Sequence, residues 1–261
     1  MPIPAIRGCD SQAGMETRLS LDILPQPDEL TCGPTCLHAV YRYYGDDISL
    51  DQVIAEVPML ESGGTLGVWL ACHALKRGYR ATTYTFKLQL FDPSWFQSGG
   101  PDIVERLKAQ MAAKKDPRLH IVTNAYLEYF HLGGMLKLAD LTPALIRRYL
   151  KRQQPIITGL SATFLYRSTR EFGDNCDYDD VRGEPSGHFV VLCGYDRQTR
   201  ETLIADPLLT NPLSKGHKYR SSINRVINSI LLGVLTYDGN LIVLEPPKDS
   251  ELSHANSHRR R

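Results

Sequence analysis

The apolar positions of this chain change their rhythm part-way along. Leu37, Val40, Tyr41 and Tyr44 recur at helical spacing and predict a helix over Pro34–Tyr44, with Gly45 placed as the C′ residue that ends it. Ser49 followed by Gln52 forms a capping box that opens a second helix through about Val57. Leu66–Arg77 reads as a third helix, closed by Gly78, and Tyr79–Phe86, rich in Thr and Tyr, reads as a strand. Through residues 87–140 the pattern is less regular: Ile103–Lys114 predicts an amphipathic helix, and Ile121–Phe130 fits a helix or a strand. Thr142 as N-cap and Pro143 at the first helical position predict a helix over Pro143–Arg152. Beyond it, Pro155–Leu160, His188–Tyr195, Glu201–Ala205 and Leu241–Glu245 predict strands separated by Gly, Asp and Pro turns. Ser168–Ser186 is a long polar loop, and Ser222–Leu232 predicts one more helix.

Helices first and strands afterwards is the order of an α+β protein. Without repeats or low-complexity linkers, the expected division is an extended arm over residues 1–20, one domain over 21–245 and a flexible polar tail over 246–261.

Composition narrows the function. The 261 residues are 42% hydrophobic and 23% charged, enough apolar content for a core. Thirty basic residues face 29 acidic ones, so the net charge of +1 gives no reason to expect nucleic acid or an anionic membrane as a partner. No segment reaches the roughly 18–20 apolar residues of a membrane span, and the N-terminus lacks the apolar run of a signal peptide. A cytoplasmic location is expected. The six cysteines (Cys9, Cys32, Cys36, Cys72, Cys176, Cys193) have neither regular nor zinc-ligand spacing, and His254 and His258 lie in the polar tail. No metal and no cofactor are expected.

The informative stretch is Gln26-Pro-Asp-Glu-Leu-Thr-Cys32-Gly33-Pro34-Thr35-Cys36. Cys32 falls at a helix start, where unpaired N–H groups and the dipole favour a thiolate, the nucleophilic form of cysteine. Gly33 would let a substrate backbone approach, and Gln26 could aim an N–H at a developing oxyanion. Alone, Cys32 reads first as a buried structural cysteine opening a helix. The second half adds Gly187-His188-Phe-Val-Val, a strand start, and Ala205-Asp206-Pro207 at the end of the next strand. A short turn over Asp196–Arg200 makes the two strands a hairpin, which can set Asp206 beside His188 as the group that orients a base. Singly, His188 reads as a core histidine and Asp206 as a turn residue.

Together these three motifs, in this order, resemble the papain-like peptidases that cut double-glycine leaders from bacteriocin precursors, and their stand-alone bacterial relatives. The resemblance covers about residues 22–60 and 150–210. It implies a papain-like α+β fold, with an N-terminal helical half carrying the nucleophile and a C-terminal antiparallel sheet carrying His and Asp. It also implies a cysteine peptidase or amidase acting on a peptide or peptide-like substrate, with Cys32 as nucleophile, His188 as general base, Asp206 as orienting group and Gln26 as oxyanion donor. Thr31 stands where the family commonly has an acidic residue, and residues 87–140 form an insertion. No ATP-binding or membrane portion follows, so the exporters' substrate is not carried over.

Two other functions fit the same residues: an acyltransferase or peptide ligase that passes the acyl group to an amine, as in papain-like folds such as phytochelatin synthase, and a binding module without turnover. Cys36, four residues after Cys32, reads as a core position of its helix rather than half of a redox pair, and Cys72 and Cys193 read as core. His38 and His73 are expected on partly exposed helix positions, and His120 and His131 in structural roles. The acidic loop Asp174–Asp180 reads as solvated, with a cation site or a lid as alternatives, and Gly133-Gly134 as a chance pair.

Overall fold

The computed structural model describes residues 17–247 apart from Ser62, Asp174, Asn175 and Tyr237. Cys9, most of the N-terminal arm and the tail with His254, His258 and Arg259–Arg261 lie outside the described residues.

The elements are β1 (Thr17–Arg18), α1 (Cys32–Tyr43), α2 (Leu50–Glu56), α3 (Gly67–Lys76), β2 (Arg80–Thr85), α4 (Ile103–Ala113), α5 (Pro117–His131) and β3 (Met135–Lys137). They continue with α6 (Pro143–Lys151), β4 (Ile156–Ser161), α7 (Ala162–Tyr166), β5 (Glu171–Phe172), β6 (Asp177–Tyr178) and β7 (Gly187–Asp196). β8 (Glu201–Ala205), β9 (Lys218–Ser222), α8 (Ile223–Leu232) and β10 (Asn240–Glu245) complete the order.

Local chemistry sets most of these boundaries. The Ser49 side chain accepts from the Gln52 N–H, and Thr142 accepts from Leu145 N–H, so both expected caps form. The reciprocal half of the Ser49 box does not, because the Gln52 amide donates to Glu56 instead. Gly45 and Gly78 take positive φ (79° and 84°) where the chain leaves α1 and α3. The ambiguous segment Ile121–Phe130 is helical: Asp116 accepts from the N–H groups of Arg118 and Leu119, and Pro117 fills the first turn, so α5 starts before the segment that was hard to read.

One sheet runs in the order β3-β2-β10-β4-β7-β8-β9, with β1 pairing the far end of β7. Every neighbour is antiparallel except β2 and β3, which are parallel. The strands of the C-terminal half, β4, β7, β8, β9 and β10, pair antiparallel as expected, and the sheet as a whole is mixed through the β2–β3 pair alone. The cause lies in the middle of the chain, since α4 and α5 form the long crossover that a parallel pair requires. β9 and the small β5–β6 hairpin inside the polar loop carried no clear alternation and were not anticipated.

β4 is buried at all six positions and β7 from His188 through Tyr195, so both faces of these central strands are covered. That explains their continuous apolar runs, since a strand covered on one side only would alternate. α1 packs against β7, α3 against β2 and β10, and α5 against α3, while α6 and α8 pack on β4 and each other. α1 itself is buried from Cys32 to Tyr41, a helix enclosed by its neighbours. Among the described residues, no helix is long and apolar enough to cross a membrane.

Candidate active site

α1 begins at Cys32, two residues earlier than the apolar pattern implied, with Thr31 as N-cap. The Thr31 side chain does not cap the helix, but its hydroxyl and the Asp28 backbone close the preceding turn. Pro34 and the Thr35 hydroxyl, which donates to the Thr31 carbonyl at 2.8 Å, fix the first turn. Cys32 therefore sits among the N–H groups that have no partner within the helix. Gly33 plays a different part from the one expected. It is buried, and a Cβ there would stand 2.6 Å from Thr65 Cγ2 and 3.3 Å from Phe189 Cδ2, so the missing side chain admits the fold's own residues.

The β7–β8 hairpin forms as expected, with Val191 opposite Ala205. It brings His188 Nε2 to 2.9 Å from Asp206 Oδ1. An ionised carboxylate only accepts, so Nε2 carries the proton and Nδ1 is the ring nitrogen left for Cys32. The Cys32 side chain lies near enough to the imidazole for its charge to act on it. Burial alone would lower the His188 pKa. The Cys32 charge and the hydrogen-bonded Asp206 carboxylate more than offset that, and it is raised to about 10. Asp206, fully buried, is pushed up by burial and pulled down further by His188, Tyr166 and Tyr219, so its pKa is lowered.

The Asp206 carboxylate accepts four hydrogen bonds. Oδ1 takes His188 and the Leu208 N–H, both at 2.9 Å, and Oδ2 takes the hydroxyls of Tyr166 and Tyr219, both at 2.6 Å. Its backbone is fixed as well. Asp206 N–H donates to the His217 carbonyl at 2.8 Å, and His217 Nδ1 donates to the Asp206 carbonyl at 2.7 Å. Sequence reading missed Tyr166, Tyr219 and His217. The histidine after Ser214-Lys215-Gly216 is the one signal that pointed there, a ring nitrogen beside a glycine turn that returns towards Asp206.

Gln26 joins the site through its backbone, whose N–H donates to the Pro207 carbonyl at 3.0 Å. Its side-chain Nε2 donates to the Asp28 carbonyl at 2.8 Å, which occupies one of its two N–H groups. The Cys36 Sγ donates to the Phe189 carbonyl at 3.2 Å. Cys72 and Cys193 are buried core residues. His38 and His73 are buried rather than partly exposed, at 4% and 6%. α2 and α3 pack beside α1 and enclose them, and His73 bonds both Tyr41 and Glu56. Among the described residues, no cluster of three or more His, Cys, Asp or Glu side chains is placed to hold a metal ion.

The arrangement is a thiol at a helix start, an imidazole beside it and a buried carboxylate behind the imidazole. No curated protein matches the chain. Among solved structures it is similar to a double-glycine motif protease from an AMS/PCAT transporter in complex with the leader peptide, at 16% identity over 88% of this chain and 94% of that one, with a TM-score of 0.42. It is also similar to the peptidase domain of Streptococcus ComA, a bi-functional ABC transporter involved in a quorum-sensing pathway (17% identity, 86% and 97% covered, TM-score 0.39). A third likeness is to a C39-like peptidase from Bacillus anthracis (14% identity, 90% and 100% covered, TM-score 0.45). The model of the Peptidase C39-like family matches residues 18–228, which run from β1 through the loop carrying Gln26, past Cys32, His188 and Asp206, and into α8. The chain therefore belongs to the Peptidase C39-like family.

Proposed function

We propose that the protein is a cysteine peptidase or amidase that opens a peptide or amide bond through a thioester on Cys32. The observation that carries this reading is the His188–Asp206 hydrogen bond at 2.9 Å, with Cys32 at the start of α1 near the same imidazole. Family membership supports the substrate class.

In this reading His188 holds the Cys32 proton, and the thiolate attacks the substrate carbonyl carbon. Negative charge moves to the carbonyl oxygen, where the Cys32 backbone N–H and the remaining Gln26 side-chain N–H are the donors. The C–N bond then breaks, His188 hands its proton to the leaving amine, and the acyl group stays on sulfur. Water attacks the thioester, His188 takes one of its protons, and the acid leaves as the thiolate is restored. Asp206 keeps the imidazole in one tautomer and faces its positive charge throughout.

Competitive alkylation with iodoacetamide tests the reading. Cys32 should be modified far faster than Cys36, Cys72 and Cys193. Burial pushes the Cys36 thiol well up and the other two up to about 12. His188→Ala should slow Cys32 labelling by at least tenfold. Uniform slow labelling of all cysteines, or a rate indifferent to His188, would sink the reading. Product analysis with an added amine separates hydrolysis, which gives free acid, from acyl transfer, which gives a new amide.

A further inference from the structure

The Asp206 carboxylate has two oxygens in different company. Oδ1 faces the imidazole and the Leu208 N–H. Among the described residues, Oδ2 accepts hydrogen bonds only from phenols, Tyr166 and Tyr219, each at 2.6 Å, within the range of hydroxyl bonds to an ionised oxygen. A buried tyrosine hydroxyl usually finds some partner, and elsewhere in this protein the partners vary: backbone carbonyls for Tyr44 and Tyr129, the His73 ring for Tyr41, and the Asp46 carboxylate for Tyr79, which is the one phenol hydrogen-bonded to that group among the described residues. Two phenols converging on one carboxylate oxygen is a different arrangement. The two come from separate parts of the chain, Tyr166 from the last position of α7 and Tyr219 from β9. The Tyr166 ring also stands 6.2 Å from the His188 ring, so it borders both members of the pair.

Resting on the assignment of Cys32, His188 and Asp206 above, we propose that Tyr166 and Tyr219 are positioning residues of this site: their phenols pin Oδ2 so that Oδ1 stays turned to His188 Nε2 and the imidazole keeps Nδ1 towards Cys32. They act through Asp206 and His188. Both phenols stay protonated over the working range, because burial and the neighbouring carboxylate push their pKa values up. The other titratable groups around the pair are Cys32 and Cys36 on α1 and His217, which bonds the Asp206 backbone.

The sign of the effect follows from the donors. A phenol stabilises the ionised form of Asp206, so its removal raises the carboxylate's proton affinity. Asp206 then becomes neutral at a higher pH, and a neutral Asp206 no longer supports the imidazolium that accompanies the Cys32 thiolate. The acidic limb of Cys32 reactivity should therefore move to higher pH.

The experiment is the pH profile of iodoacetamide labelling at Cys32 in the full chain, for wild type, Tyr166→Phe, Tyr219→Phe and the double variant, with thermal unfolding alongside. Each single variant should move the acidic limb up by about one pH unit, and the double variant further. Site-specific 3,5-difluorotyrosine at 166 or 219 keeps the ring and its donor but strengthens the donor, so it should move the limb down. It decides the matter if a Phe variant does not fold. A limb that stays in place in folded Phe variants, or in the difluorotyrosine proteins, overturns the proposal, because a merely structural role would alter the unfolding temperature alone. Wild-type Cys32 that labels no faster than exposed Cys176 would instead overturn the assignment of the site, and the proposal with it.

Discussion

The sulfur of Cys36 donates to the backbone carbonyl of Phe189 across 3.2 Å. Cys36 lies one helical turn after Cys32, and Phe189 follows His188 directly. This bond therefore registers the helix that carries the thiol against the strand that carries the imidazole.

Cys36→Ala is expected to cost about 1–2 kcal/mol of stability, from the lost contact volume and the carbonyl left without this donor. It should also slow Cys32 alkylation several-fold, whereas Cys36→Ser keeps a donor and should retain most of the rate. Urea unfolding and alkylation kinetics check both. An unchanged rate in a destabilised Cys36→Ala protein would show that packing alone holds the two elements in register.

Gln26 supplies a contrast between two assays on one variant. Gln26→Ala should lower kcat on a fluorogenic peptide amide by on the order of 10²-fold with little change in KM, as loss of an oxyanion donor does. Alkylation of Cys32 builds no oxyanion, so its rate should hardly change. Equal losses in both assays would mean that Gln26 acts on the thiol's surroundings.

Gly33→Ala would drive a methyl group to within 2.6 Å of Thr65 Cγ2. The first turn of α1 must then shift, at a cost of about 1–3 kcal/mol. Thr65→Ser removes the opposing methyl and should recover part of both the stability and the Cys32 labelling rate. A double-mutant cycle measures this coupling, and strict additivity would count against the contact.

Stability should fall on mild acidification, and His73 is the reason. Its Nε2 donates to Glu56 at 2.9 Å and its Nδ1 accepts from the Tyr41 hydroxyl at 2.8 Å. Burial lowers its pKa, against the pull of Glu56, and burial together with Arg42 lowers that of His38. The unfolded chain then binds these protons more readily, so stability present above about pH 6.5 is lost as pH falls below it. His188 works with the opposite sign: its contribution is complete below the unfolded value and disappears as pH rises through about 10. Thermal unfolding from pH 5 to 7 should show the slope, and His73→Gln should flatten it. An unaltered slope would assign the effect elsewhere.

The sequence displayed the proposed reacting groups more clearly than the residues that hold them. Cys32-Gly-Pro, Gly-His188 and Asp206-Pro207 were legible because each combines a reactive side chain with local turn or helix-start chemistry. The β7–β8 hairpin between them follows from two apolar runs and a polar turn. Tyr166 and Tyr219 were not legible. A phenol reads as ordinary core, α7 is only five residues long, and β9 lacks a clear alternating pattern. The helical nature of Ile121–Phe130 was available in Asp116-Pro117, a cap and a first-turn proline lying outside the stretch whose period was ambiguous. The parallel pairing of β2 and β3 was beyond local signals, since a three-residue strand shows no period and its partner lies some fifty residues away.

That parallel strand has a practical side. β3 closes the sheet at the edge opposite β9, with β2, β10 and β4 between it and β7. At the usual spacing of about 4.8 Å between neighbours, roughly 19 Å of hydrogen-bonded backbone separates β3 from the strand that carries His188. The turn between α4 and α5, Lys114–Asp116, is exposed. It is the natural splice point for a reporter or an affinity handle, and the stretch where the chain can lengthen over evolutionary time while its chemistry stays as it is.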